Sequence, residues 1–327
     1  HEEAISSYNK AIEFKVDYSN AYNNKNLALN YTPYRSATSV YEEHLKFEKQ
    51  FGGLDIRLSL NKVLKKDPKE RLRVGYVSPD FNTHSVAYFF EPLLENHASA
   101  SVETFCYYND TKIDDTTRRL TQHSDHWHSV VGLSDTDLVQ LIKDDNIDIL
   151  VDLAGHTAKN RLLVFAQKPA PIQLSWLGYP NTTGLNAIDY RLTDIIADPV
   201  GESDAFYSEQ LIRLENTFLC YRGNKNAFIT PSSPCRSRGY ITFGSFNNLA
   251  KLTPEVIKVW SRILHNLPGS HLLLKSKQLR YNKGQYIKLF KQQGITEDRI
   301  ELHGFLPSNG DHLALYNSID ICLDGIL

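Results

Sequence analysis

A chain of 327 residues is long enough for two or three domains, and 41% hydrophobic with 23% charged residues is the make-up of an ordinary folded globular protein. A formal net charge of -2 offers no basic footprint for nucleic acid or for an anionic membrane surface. No apolar run approaches the roughly 20 residues that span a bilayer, and the opening HEEAISSYNK lacks the basic and apolar regions of a signal peptide, so a cytoplasmic protein is expected.

In chain order, Ala4, Tyr8 and Ala11 stand at helical spacing, a turn follows at Lys15 to Asp17, and Ala21, Tyr22 and Leu27 mark a second helix. The pattern resembles a tetratricopeptide repeat over residues 1–33, with Val16 where the usual proline would stand. One repeat cannot bury its own face, so it is expected to be the last of an array. The chain has no methionine, even at position 1, and it stops just after the apolar SIDICLD; both ends therefore read as cut. Residues 34–70 read as a connecting helix, ending at Gly52 and Gly53, and a charged linker, KKDPKERLR.

A domain over 71–230 follows. RVGYVS, VETFCYYN and IDILVDLAG read as buried strands, and SVAYFFEPLLENH and LSDTDLVQLIKDDN as helices. The middle, with PAPIQLSWLGYPNTTG, reads as loop-rich, and 226–239 as a second linker. Strand and helix then alternate again over 235–327, from YITFGSF to IDICLD. Two doubly wound Rossmann-like domains facing a cleft are expected, with ligands at the carboxyl ends of the strands.

Two histidines occupy such ends: His84 after RVGYVS and His156 after ILVDLAG, each able to exchange a proton near neutral pH or to serve structure alone. His123, His126 and His128 fit no zinc spacing and read as solvated loop residues around Trp127, and the four cysteines form no C-x-x-C pair, so no metal site is expected. No G-x-G-x-x-G or G-x-x-x-x-G-K-[ST] occurs. In FGSFNNLAKLTPEVIKVW, Thr253 and Pro254 form a helix start whose N–H groups would face a loop holding Asn248 and Lys251. That combination suits a diphosphate.

The blocks RVGYVSPDFNTHSVAYFFEPLL, ILVDLAGHTAKNRLLVFAQKPAPIQLSWLGYPNTTG, YRLTD, TFGSFNNLAKLTPEVIKVW and HLALYNSIDICLD closely resemble the tetratricopeptide-containing protein O-GlcNAc transferases of the SPINDLY-like type, from about residue 71 onward. That resemblance implies a GT-B glycosyltransferase, its second domain incomplete here, that transfers N-acetylglucosamine from UDP-N-acetylglucosamine to serine or threonine hydroxyls with inversion. It implies no cofactor and no metal, with protein acceptors recruited through the repeats. By resemblance His84 is the active-site histidine and a candidate base, Lys251 contacts the diphosphate with Asn248 nearby, His312 packs against uracil, and the backbone of Leu306 holds the base. Trp176, Tyr179, Pro180 and Thr183, with His156, are expected on the sugar or acceptor side. Ser308 and Leu315 stand where animal members carry a lysine and an arginine. The family's phosphate loop would follow SIDICLD, so little activity is expected of these 327 residues alone. The alternatives are an O-fucosyltransferase using GDP-fucose and an inactive protein-binding repeat module.

Overall fold

The structure, a computed structural model, describes residues 1–53, 70–97, 99–224, 227–306 and 308–325; most of the linker expected over 65–73 lies outside them. The chain divides into two units, His1–Arg222 and Gly223–Leu327.

The first unit begins with helices α1 (Glu2–Phe14) and α2 (Ser19–Leu29), the hairpin expected of a repeat remnant. Helix α3 (Ala37–Phe51) is capped by Ser36, whose hydroxyl accepts from the Ser39 N–H at 3.2 Å. Tyr22 of α2 and Phe47 of α3 enter the same hydrophobic core as the sheet that follows, together with Tyr107, Leu150 and Phe165. Buried Lys25 of α2 pairs with Glu43 of α3 at 2.8 Å, which satisfies a charge that burial would otherwise penalise.

The α/β part runs β1 (Leu72–Ser78), α4 (Ser85–Glu95), β2 (Val102–Tyr108), α5 (Asp115–His123), β3 (His126–Ser129), α6 (Asp135–Asp144), β4 (Ile149–Asp152), α7 (Leu162–Phe165), β5 (Ile172–Ser175), β6 (Tyr190–Asp194) and β7 (Gln210–Leu214). Its parallel sheet has the order β3-β2-β1-β4-β5-β6-β7. Side chains alternate across it: Phe105 and Tyr107 enter the core shared with α2 and α3, while Cys106 and Tyr108 join Phe81, Phe90 and Trp176 on the other face. Burial on both faces explains why β1, β2 and β4 read as apolar runs.

The loop-rich reading of the middle is corrected, because it holds β5, β6 and β7. These strands are four or five residues long and carry polar residues (YRLTD, QLIRL), which masks their periodicity. The histidine reading is corrected as well. His126 and His128 lie in β3, an edge strand, with their rings stacked on Phe105 (centroids 4.2 Å apart) and Tyr107 (5.3 Å). Each of the three histidines faces a carboxylate of its own: Glu95 for His123, Glu103 for His126 and Asp145 for His128.

The second unit contains α8 (Cys235–Arg238), β8 (Thr242–Ser245), α9 (Pro254–Asn266), β9 (His271–Lys275), α10 (Leu279–Gln292), β10 (Ile300–His303), α11 (Asn309–Leu315) and β11 (Ile321–Cys322). Its parallel sheet has the order β10-β9-β8-β11 over a core that includes Trp260, Leu272, Leu274 and Phe290.

Candidate active site

In both sheets the connections reverse direction at the first strand. Strand β1 lies between β2 and β4, and β8 lies between β9 and β11. Loops that leave such a pair run to opposite faces and open a crevice at the carboxyl ends, the common ligand position in open α/β sheets. His84 follows β1 and His156 follows β4, while Asn248 and Lys251 follow β8.

His84 is the N-cap of α4. Its Nδ1 accepts the Val86 N–H at 3.3 Å, so the neutral ring carries its proton on Nε2. The side chain is 48% exposed, and Asp80 Oδ1 stands 3.6 Å from Nδ1. Burial pushes the Asp80 carboxyl up and the neighbouring His84 draws it back down. To act as a base through Nε2, His84 must carry its proton on Nδ1, facing Asp80 and releasing the cap to Val86. The same edge holds Asp110, paired with Lys159 at 2.7 Å. Asp80, Asp110 and Lys159 were missed in the sequence, although Asp80 and Lys159 sit inside the two loops it singled out.

His156 has the opposite surroundings, and the expectation that it lines the site is corrected. It is fully buried, with Nε2 2.8 Å from the Thr183 carbonyl and Nδ1 2.7 Å from the Asn23 amide of α2. The atom facing Nδ1 is the Asn23 Oδ1, which can only accept, while Nε2 faces both the Thr183 carbonyl and the Asn26 amide nitrogen, 3.3 Å away. Tyr179 is buried too: its hydroxyl accepts from Asn30, just past α2, at 2.9 Å and lies 2.7 Å from His44 Nε2 of α3, whose Nδ1 donates to the Val40 carbonyl. Buried Trp176 donates to the Phe218 carbonyl at 2.9 Å, and the Thr183 N–H donates to buried Glu209 at 2.7 Å. These side chains tie the loops after β4 and β5 to one another and to the helices, and none of them faces solvent. Of the residues expected on the sugar or acceptor side, Pro180 alone is exposed.

The buried histidines make an expected pH dependence. Burial lowers His44 to about 4, and burial with the nearby His44 holds His156 well below its ordinary value. As pH falls through about 6.5 the unfolded chain takes up both protons and the folded chain does not, so stability is lost on acidification. Asp152, pushed up to about 6 by burial, opposes this: below pH 6 the folded state holds a proton that the unfolded state does not. Two histidines outweigh one carboxyl. Denaturant titration of the first unit is expected to show a loss of about 2–3 kcal/mol from pH 7 to pH 5; equal or higher stability at pH 5 would contradict the buried neutral pair.

At the second crevice, Asn248 caps a single turn, Leu249–Lys251. Its Oδ1 accepts the Ala250 N–H at 3.1 Å, leaving its amide nitrogen as a donor. Ser245, Asn247, Asn248, Lys251 and Gly325 line a small hollow there. Among the described residues, the Lys251 ammonium has neither an ion pair nor a hydrogen bond. Thr253 caps α9 as expected, its hydroxyl accepting from the Val256 N–H at 3.3 Å. At that helix start Pro254 has no N–H and that of Val256 is taken by the cap.

His312 of α11 packs against Phe246 (centroids 5.4 Å apart) and Tyr316 (5.6 Å). Leu306 lies in the segment after β10, and Ser308 caps α11 by accepting the Asp311 N–H at 3.0 Å. Among the described residues, no group of three or more His, Cys, Asp or Glu could hold a metal ion, and no helix is long and apolar enough to cross a membrane.

Residues 57–230 match the sequence profile described as glycosyl transferase family 41. The chain belongs to this family. A Solanum lycopersicum protein named probable UDP-N-acetylglucosamine--peptide N-acetylglucosaminyltransferase SPINDLY is 38% identical over 96% of this chain, and an Arabidopsis thaliana protein of the same name is 38% identical over 94%. The family 41 chain spans about a third of these relatives, 34% of each. Among solved structures, a mutant of the Thermobaculum terrenum O-GlcNAc transferase matches it with a TM-score of 0.91 and 35% identity, over 99% of this chain and 62% of that one. The two parallel-sheet units are the Rossmann-like halves of a GT-B glycosyltransferase, the first of them preceded by helices α1, α2 and α3.

Proposed function

We propose that the whole protein transfers N-acetylglucosamine from UDP-N-acetylglucosamine to serine and threonine hydroxyls of proteins, with inversion at the anomeric carbon. The observation that carries this reading is Lys251, unpaired among the described residues, at the crevice beside β8, in a chain similar along nearly its whole length to proteins named for that reaction. The bond from the anomeric carbon to the diphosphate oxygen breaks with its electron pair passing to that oxygen. Lys251 and the amide nitrogen of Asn248 stabilise the charge that grows there. With a lysine in this role, no metal ion or other cofactor is required.

The acceptor hydroxyl attacks the anomeric carbon from the opposite face, and His84, with Asp80 as its neighbour, takes the proton. His312 stacks on the uracil and the Leu306 backbone meets the base edge. Protein acceptors are recruited by the helical repeats, of which α1 and α2 form one unit. Four cysteines that are all free thiols fit a cytoplasmic setting.

Titration of the whole protein with UDP-N-acetylglucosamine and GDP-fucose tests the donor. Binding of the UDP-sugar at least tenfold tighter is expected; tighter binding of GDP-fucose would overturn the choice of donor.

A further inference from the structure

Lys275 is the last residue of β9, the strand beside β8. The residue before it, Leu274, pairs with Ser245, so Lys275 comes level with Phe246 at the carboxyl edge of the sheet. Phe246, His312 and Tyr316 form an aromatic cluster there, the kind of surface on which a planar base stacks. Lys275 is only partly exposed, and among the described residues its ammonium has no hydrogen bond and no ion pair. Neighbouring polar groups have partners: Lys277 lies over the Phe305 ring at 5.5 Å, and His303, in register with Lys275, meets Glu301 at 2.5 Å.

Desolvation, with Lys277 adding to it, lowers the pKa of Lys275, and the charge of Lys275 helps to lower that of His312. Level with Phe246, Lys275 stands on the β9 side of β8. Lys251 packs against Gly325, which follows β11 on the opposite side of β8. An ammonium can only donate, and a half-buried one without an acceptor leaves a contact for a ligand to complete. The peptide N–H and C=O of Leu306 also make no hydrogen bond among the described residues.

We propose that Lys275 reads the donor's base by donating to the carbonyl oxygen that is O4 of uracil or O6 of guanine, selecting these bases over cytosine and adenine, which carry an amino group at that position. This rests on the reading of the second unit as a nucleotide-sugar site. An amino group at the matching position would set donor against donor beside a partly desolvated charge, and mismatches of that kind discriminate strongly.

The test is titration of the whole protein with UDP, CDP, GDP, ADP and inorganic pyrophosphate, comparing wild type with Lys275→Met and Lys275→Arg. Wild type is expected to favour UDP over CDP by about tenfold or more. Lys275→Met should bring that ratio near one while leaving pyrophosphate binding unchanged, and Lys275→Arg, which keeps a donor, should retain the preference. Comparing UDP with GDP tells which keto base is taken. An unchanged UDP to CDP ratio in Lys275→Met, or an equal loss for both nucleotides and pyrophosphate, would overturn the proposal. A wild-type protein that binds pyrophosphate but shows no preference among bases overturns it as well, and one that binds no nucleotide overturns the donor-site reading with it.

Discussion

Replacing Lys251 with methionine is expected to lower kcat by about a hundredfold to a thousandfold, the usual loss when a group aimed at developing charge is removed. The diphosphate gains negative charge as the glycosidic bond breaks, so an interaction with Lys251 strengthens toward the transition state, and kcat should fall more than KM rises. At the start of α9, Pro254 lacks an N–H and Thr253 occupies that of Val256. Stability should change little, since no side chain among the described residues depends on the Lys251 ammonium. Initial rates at saturating donor, with a thermal melt of each variant, check both halves; a methionine variant that folds and keeps near wild-type kcat would remove Lys251 from the chemistry.

The second large effect is on folding. An added Cβ at Gly178 would lie 1.8 Å from the Leu153 carbonyl oxygen and 2.6 Å from its carbon, which are backbone atoms that no rotamer change can move. Gly155, at φ +53°, would bring a Cβ to 2.2 Å from Cβ of Tyr179. The loops after β4 and β5 thus pass backbone to backbone, and the network of His156, Tyr179 and His44 forms only if they do. Gly178→Ala is expected to cost about 3–5 kcal/mol, in the range reserved for buried overpacking with loss of a hydrogen-bond network. Gly132, at φ +83° with nothing within 4 Å of an added Cβ, is the control; Gly132→Ala should cost only about 1–2 kcal/mol of backbone strain. Denaturant midpoints measure both, and equal losses would contradict the close approach of the loops.

Much of the fold was legible because buried parallel strands are apolar on both faces: β1, β2, β4, β8 and β9 stand out as runs. Strand β3 did not, because its histidines satisfy edge positions by stacking and ion pairing, nor did α5, whose DTTRRLTQH buries a single large apolar side chain, Leu120. His84 and Lys251 could be singled out because each puts an ionisable group just past a strand, and the structure places both at the carboxyl ends of β1 and β8. Position alone was a poor guide to exposure. His84 and His156 both follow strands of the same sheet, yet one is half-exposed and the other sealed by Asn23 and His44, residues more than a hundred positions earlier. Nothing local to GHTAKNR or WLGYPNTTG announces that α2 and α3 fold over them.

The most direct test is transfer itself: the whole protein, incubated with an acceptor protein and UDP-N-acetylglucosamine labelled in the sugar. Label is expected on serine or threonine hydroxyls with wild type, and at a hundredth of that rate or less with Lys251→Met. A folded wild-type protein that labels no acceptor, or one that transfers only fucose from GDP-fucose, would contradict the account.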